Sequence, residues 1–438
     1  MPSVIHGDWT HRRGDSGGAR SVAADIDKPR PVIAWSWRPD HGGRVDQLRV
    51  LGERVIVATM MPRAAGAQAG PWEHAVVYVL DARTGVEIAR RVLPDPVPVA
   101  ALVVEAGLVH VVATGNGEPI YWYALSPEDL APRHRRVVAV ASSASHEDVL
   151  DAWAAPDGGL WLELDCAPAD AAEWTLAYVF ADPSGATREV SPRVEIAGDS
   201  APARDACAGG HELFAPLDGK WTGGDAPLPP ALSRLDARTS EAPNEEAWLK
   251  ATLVGPRAQI RAVGSEGVVC AVAAAEDPDK PERARVEVVE VDRASGAVRW
   301  RAQGDRIATK PQLGDGARVA RRHNGEMLFQ SLGLDGAPCT SLVCARPDGR
   351  VDEIVLGARG RWILDAALGD MVLAHHEEEG GEVQVAGYGI DHEGLLLGRR
   401  AVTRWSLETP GLGGGTTVYA GAGAVFVRGA RAVCALHL

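Results

Sequence analysis

The sequence is short of lysine, which occurs only at Lys28, Lys220, Lys250, Lys280 and Lys310, while arginine, alanine and glycine are abundant. That bias fits coding from a GC-rich bacterial genome. Basic charge is outweighed: the formal net charge is -14 over 438 residues. An acidic chain of this kind is a poor ligand for phosphate backbones, so nucleic acid is excluded as a main partner. No apolar run is long enough for a membrane-spanning helix, and the polar stretch Met1 to Asp15 has no apolar leader region. The expectation is a cytoplasmic protein with no membrane partner. Paired cysteines are missing too. None of Cys166, Cys207, Cys270, Cys339, Cys344 and Cys434 forms a CxxC motif, and Cys270 and Cys434 fall in apolar strand patterns, so free thiols are expected.

Helical periodicity is scarce, and hairpins take its place. Val286 to Ala302, VEVVEVDRASGAVRWRA, reads as a β-branched strand, a turn at Asp292 to Gly296, and an alternating strand ending in Trp300. Aspartate suits the first turn position because its carboxylate caps backbone N–H groups, and glycine supplies positive φ. The same grammar recurs at Ala75 to Arg91 around Asp81 and Gly85, and at Thr175 to Val190 around Asp182 and Gly185. Looser copies centre on Ser126, Asp236, Asp348 and Asp391. The period is about 50 residues, within the range of propeller blades.

These units resemble the quinoprotein alcohol dehydrogenase-like (PQQ-like) β-propeller repeat, carried here by Leu80-Asp81-Ala82-Arg83-Thr84-Gly85 and by Val291-Asp292-Arg293-Ala294-Ser295-Gly296 with Trp300. The resemblance implies an all-β, eight-bladed β-propeller of four-stranded antiparallel blades, with seven blades as the alternative. A non-catalytic member is expected. Quinone-dependent members use calcium, an aspartate base, a stacking tryptophan and often two adjacent cysteines, and this chain has no Cys-Cys pair. No cofactor and no metal are expected.

The domain reading is an irregular N-terminal arm over 1–30 and a single propeller over 31–438. Within the arm, Trp9 is expected to tuck against the ring. The strand PVIAWSWRP, Pro31 to Pro39, has no hairpin partner nearby, whereas the C-terminal stretch offers three strands and lacks a fourth. The N-terminal strand is therefore expected to close the last blade, which removes a free sheet edge.

Catalytic motifs are missing. There is no G-x-S-x-G elbow. The glycines Gly413 to Gly415 precede a strand rather than a helix, so they read as an interblade connection and not a phosphate loop. His375-His376-Glu377-Glu378-Glu379 reads as a solvated hairpin loop. Two basic clusters, Arg133 to Arg136 and Arg318 with Arg321 to His323, read as solvated strands or loops.

Loop length departs from the repeat. Connections between second and third strands share one face of a propeller, and three of them are long: 61–74, 217–230 and 275–283. They hold Trp72, His74, Lys220, Trp221, Asp277 and Lys280. Aromatic residues beside charges suit protein contacts. The plainer reading is that Trp72 and Trp221 pack their own loops. The expected function is a non-enzymatic scaffold that binds a protein or peptide through this face. The alternative is a small-ligand or cofactor-binding propeller, or an enzyme, using the central funnel.

Overall fold

A computed structural model describes residues 4–6, 8–9, 20–25, 31–62, 72–115, 119–138, 146–167, 173–189, 194–197, 207–216, 221–222, 231–236, 249–250, 258–263, 267–273, 284–307, 310–311, 318–332, 338–356, 362–377, 383–390, 399–409 and 412–438. Among these residues there are strands and turns and no helix.

Strands pair with their sequence neighbours as antiparallel hairpins. The first set comprises Arg44–Leu51, Arg54–Pro62, Trp72–Asp81 and Glu87–Val92. The second comprises Val99–Glu105, Leu108–Ala113, Ile120–Leu125 and Pro132–Val138. The third begins at His146–Ala154, the fourth at Cys207–Gly209, the fifth at Ala258–Val263, the sixth at Val319–Arg321 and the seventh at Ile363–Leu368. The eighth joins Thr417–Gly421, Ala424–Arg428 and Val433–His437 to Val32–Trp37. Sets six and seven merge through a short parallel pairing, Ile354 with Arg399 and Val355 with Arg400. Counted as antiparallel sets there are eight blades; counted as continuous sheets there are seven. Both counts are compatible with a β-propeller.

The ring closes as the sequence leads one to expect. Val32 stands opposite His437 and Trp37 opposite Val433, antiparallel, so the last blade is completed from the N-terminal side. Trp35 locks that blade to the first. Its indole N–H donates to the carbonyl of Ala82 at 3.0 Å, and its ring covers Gly85, where an added Cβ would lie 2.6 Å away. Arginine takes the same place at two further seams. Arg91 donates to the carbonyl of Leu130 at 3.3 Å, and the Arg136 side chain lies 2.9 Å from where a Cβ on Gly185 would be.

Burial follows strand position. Second and third strands carry the core, as in Val55 to Met60 and Val76 to Leu80. Outermost strands are wet and carry the exposed apolar side chains Val32, Ile33, Ile88, Val92, Val137, Val298 and Val355, while Val86 lies in the turn just before one of them. First strands of neighbouring blades contact one another: Arg44–Leu51 touches both Val99–Glu105 and Thr417–Gly421, and Ile363–Leu368 touches Thr417–Gly421. These strands face the axis.

Within the arm expected over 1–30, two short segments are paired. Val4–His6 and Ser21–Asp25 form an antiparallel hairpin, and the second of these strands runs parallel to the first strand of the seventh blade, with Ser21 beside Ala367 and Val22 beside Leu368. The exposed backbone edge of an axial strand attracts pairing wherever a short extended segment reaches it. Trp9 is fully buried, as expected, with its ring edge-on to Tyr419 at 5.6 Å.

Candidate functional site

The turns at Asp81, Asp182 and Asp292 are short because aspartate and glycine close them. Asp81 Oδ1 accepts from the Thr84 N–H at 2.7 Å and the Thr84 hydroxyl at 2.6 Å, and Gly85 sits at φ 70. These hydrogen bonds hold the Asp81 carboxyl below the usual range. Asp182 and Asp292 repeat the arrangement with Ser184 and Ser295. All these turns share one face of the ring. The opposite face carries the connections from second to third strands, which run from Pro62 to Trp72, from Pro216 to Ala231 and from Ala273 to Ala284 in the three long cases. In the eighth blade the equivalent connection only spans Arg428 to Val433.

Two of the expected loop residues belong to strands. Trp72 opens the strand Trp72–Asp81 and stands opposite Pro62. His74 lies on the same strand, half-buried, with Nδ1 3.1 Å from the carbonyl of Leu93. The first long connection is thus narrower than 61–74, because pairing continues past a bulge between Met60 and Pro62. Trp221 belongs to the two-residue strand Trp221–Thr222, which pairs in parallel with Ile196 and Ala197 of the preceding blade. That backbone contact anchors the 217–230 connection to a neighbour. Lys220, Asp277 and Lys280 lie outside the described residues.

The axial rim on this loop face is polar, and sequence reading missed it. First strands carry bulges near their starts, between Val45 and Gln47, Val99 and Ala101, Val149 and Asp151, Ile260 and Ala262, and Leu364 and Ala366. A bulge releases backbone groups from the ladder, and side chains from the preceding blade take them up. Gln47 donates to the Ala100 carbonyl and accepts from the Leu102 N–H, both at 2.9 Å. Gln330 does the same for Trp362 at 3.1 Å and Leu364 at 2.6 Å. Arg318 donates to the Leu364 carbonyl at 3.3 Å, and Arg428 to that of Val45 at 3.3 Å.

Two of the bulged residues are carboxylates. Asp46 receives Arg44 at 2.5 Å. Burial pushes its carboxyl up from the ordinary value, and the guanidinium groups of Arg44 and Arg428 oppose that. Asp365 is fully buried between Arg318 at 2.6 Å and His375 Nδ1 at 2.7 Å. His375 was expected in a solvated loop; it sits instead within Met371–Glu377, opposite Ile363 and Val385, with no exposure. Next to it, His376 lies 5.8 Å from the Trp362 ring. The Arg318 to His323 cluster is corrected in the same way: Arg322 is buried, bonded to Glu326 at 2.5 Å and to the Asp370 carbonyl at 3.2 Å. Gly413, Gly414 and Gly415 all have left-handed φ and link the seventh blade to the eighth.

His375 Nδ1 faces the Asp365 carboxylate at 2.7 Å, and its buried Nε2 has no hydrogen-bond partner among the described residues. His110 Nδ1 accepts from the Trp122 indole at 3.1 Å, so Nε2 holds the proton and is no ligand for a cation.

No protein-family model matches the chain, and no curated protein matches it at a significant level. Solved structures do. A quinohemoprotein alcohol dehydrogenase from Comamonas testosteroni aligns with a TM-score of 0.55 and 11% identity, covering 98% of this chain and 80% of that one. Quinohemoprotein alcohol dehydrogenase ADHIIG from Pseudomonas putida HK5 aligns with a TM-score of 0.52 and 12% identity, covering 99% of this chain and 80% of that one. BamB from Moraxella catarrhalis aligns at a TM-score of 0.35 with 12% identity over 93% of this chain and 100% of that one. The two carboxylates at axial bulges, Asp46 and Asp365, are each matched by a guanidinium group, and no group of three or more His, Cys, Asp or Glu among the described residues is placed to hold a calcium ion for a quinone. At identities this low the likeness shows the fold alone, and that fold is an all-β propeller.

Proposed function

We propose that this chain is a non-enzymatic, protein-binding propeller that engages a protein or peptide through the face carrying the long connections. The observation behind this reading is the asymmetry of the two faces. The turns at Asp81, Asp182 and Asp292 on one face are clamped by short-range hydrogen bonds of their aspartates, while the three long connections gather on the other. Rigid scaffolds place their recognition elements on loops of this sort. The Trp221 anchor supports the reading, since a connection pinned at one point loses less entropy on binding than a free one.

The test is affinity purification of the tagged full chain from its native cell, with mass spectrometry of what accompanies it. A dominant protein partner that disappears when Trp72 and Trp221 are both changed to alanine supports the reading. A chain that purifies alone but carries a chromophore or metal overturns it.

A second reading, a small ligand held in the axial funnel, has one observation in its favour: the buried Nε2 of His375, which has no partner among the described residues, while Nδ1 faces Asp365, itself paired with Arg318. A polar hydrogen-bonding group is the complementary chemistry. A heat-stability screen of the purified protein against small hydroxyl-bearing metabolites, repeated on His375→Phe, separates the two readings.

A further inference from the structure

We propose that the axial end of the ring on the turn face is a peptide-binding site for an extended segment bearing an aspartate followed by a tryptophan, and that Asp8 and Trp9 occupy it in cis. Three kinds of recognition converge there. The Trp9 N–H donates to the Val50 carbonyl and the Val50 N–H donates to the Trp9 carbonyl, both at 2.8 Å. That is a strand-addition contact on the inner edge of the first blade. Asp8 Oδ1 accepts from the Gly52 N–H at 2.7 Å, which reads the carboxylate. The indole fills an apolar pocket that includes Val50 and Tyr419, edge-on to the tyrosine ring at 5.6 Å. Val50 and Gly52 lie at the end of the first blade's axial strand, so this site is on the face opposite the long connections.

The occupant is held in a way that suits exchange. Trp9 makes an isolated bridge rather than a ladder. Its indole N–H is buried without an acceptor among the described residues, which disfavours the cis state. Arg20, whose carbonyl accepts from the Ala367 N–H at 3.0 Å, sits at φ 40, a left-handed conformation costly for arginine. The parallel pairing that follows it joins only Ser21 with Ala367 and Val22 with Leu368. The acceptor edge is complete without this segment: Val50 stays in register with Val55 inside its own blade. A partner segment of the same chemistry therefore meets a preformed edge once the cis residues lift away.

The experiment uses the full chain with Trp9→Ala and a fluorescent peptide of residues 4–11, VIHGDWTH. The variant should bind the peptide. The unchanged chain should bind it about tenfold more weakly, because the cis residues occupy the site most of the time. The same peptide with alanine for tryptophan should not bind either protein. A folded Trp9→Ala chain that ignores the peptide, or takes both peptides equally, overturns the proposal. Amide exchange in the unchanged chain tests the same point without the substitution. The N–H groups of Val50, Gly52 and Ala367 should exchange together and about tenfold faster than those of Arg54–Pro62, through a local opening. Exchange of all of them only with global unfolding overturns the proposal as well.

Discussion

Trp35 and Gly85 set the tolerance of the first seam. An alanine at 85 places its Cβ 2.6 Å from the indole and forces a left-handed φ of 70 on a residue with a side chain. Gly85→Ala is expected to cost about 1–3 kcal/mol in urea unfolding. His110 gives a pH dependence. Burial, reinforced by His134, lowers its pKa from 6.5 to about 4. The unfolded chain therefore takes up a proton before the folded one. The stability contributed by neutral His110 is complete above the unfolded value and is lost as pH falls from 6.5 toward 4. The difference amounts to about 3 kcal/mol, and His110→Gln is expected to flatten that part of the stability-against-pH curve. Cys434 stays inert toward thiol reagents in the folded state, because burial pushes its thiol up to about 11. Residue by residue, the turn aspartates were legible because their partners lie within four positions. His375 was not. It is followed by His376 and three glutamates, and its partner Asp365 is itself paired with Arg318 from another blade.

Hairpins were the legible elements. Alternation and turn residues place the strands of the first two blades, and Asp157-Gly158-Gly159 marks the third blade's inner turn, with Gly158 at φ 84. The axial bulges were not legible, because a bulge inserts a residue whose type carries no fixed signal: Asp46, Ala100, Leu150, Arg261 and Asp365 occupy the equivalent places. Nor did composition reveal that glutamine spans the seams. Gln47 supplies a donor and an acceptor to a backbone that has left its ladder. Gln47→Leu keeps the volume and strands both groups, so a loss of about 1–3 kcal/mol is expected in denaturant unfolding. Gln330→Leu should lose a similar amount, with Gln330 even more deeply buried. Near-neutral results at both positions would mean that water takes over these backbone groups.

Across the whole molecule, ring closure by Val32–Trp37 was legible because two incomplete patterns at opposite ends of the sequence complement each other. The axial hairpin of residues 4–25 was not, since its strands are short and their acceptor, Ala367 and Leu368, is more than three hundred positions away. Trp35 joins closure strand and first blade, and its loss tests the ring as a unit: Trp35→Ala is expected to cost about 3–5 kcal/mol. The candidate loop face was legible only as loop length. Pairing drew Trp72, His74 and Trp221 into strands, and Lys220, Asp277 and Lys280 remain assigned to that face by sequence position.

The central claim is that the long-connection face meets another protein. Site-specific photo-crosslinking in the native cell tests it most directly. A photoreactive residue would be placed in turn at Gln68, Lys220 and Asp277 on that face, and at Arg83, Ser184 and Ala294 on the turn face. Adducts to one protein from the first three positions, and none from the second three, are the predicted outcome. Adducts confined to the turn face, or none from either, would contradict the account.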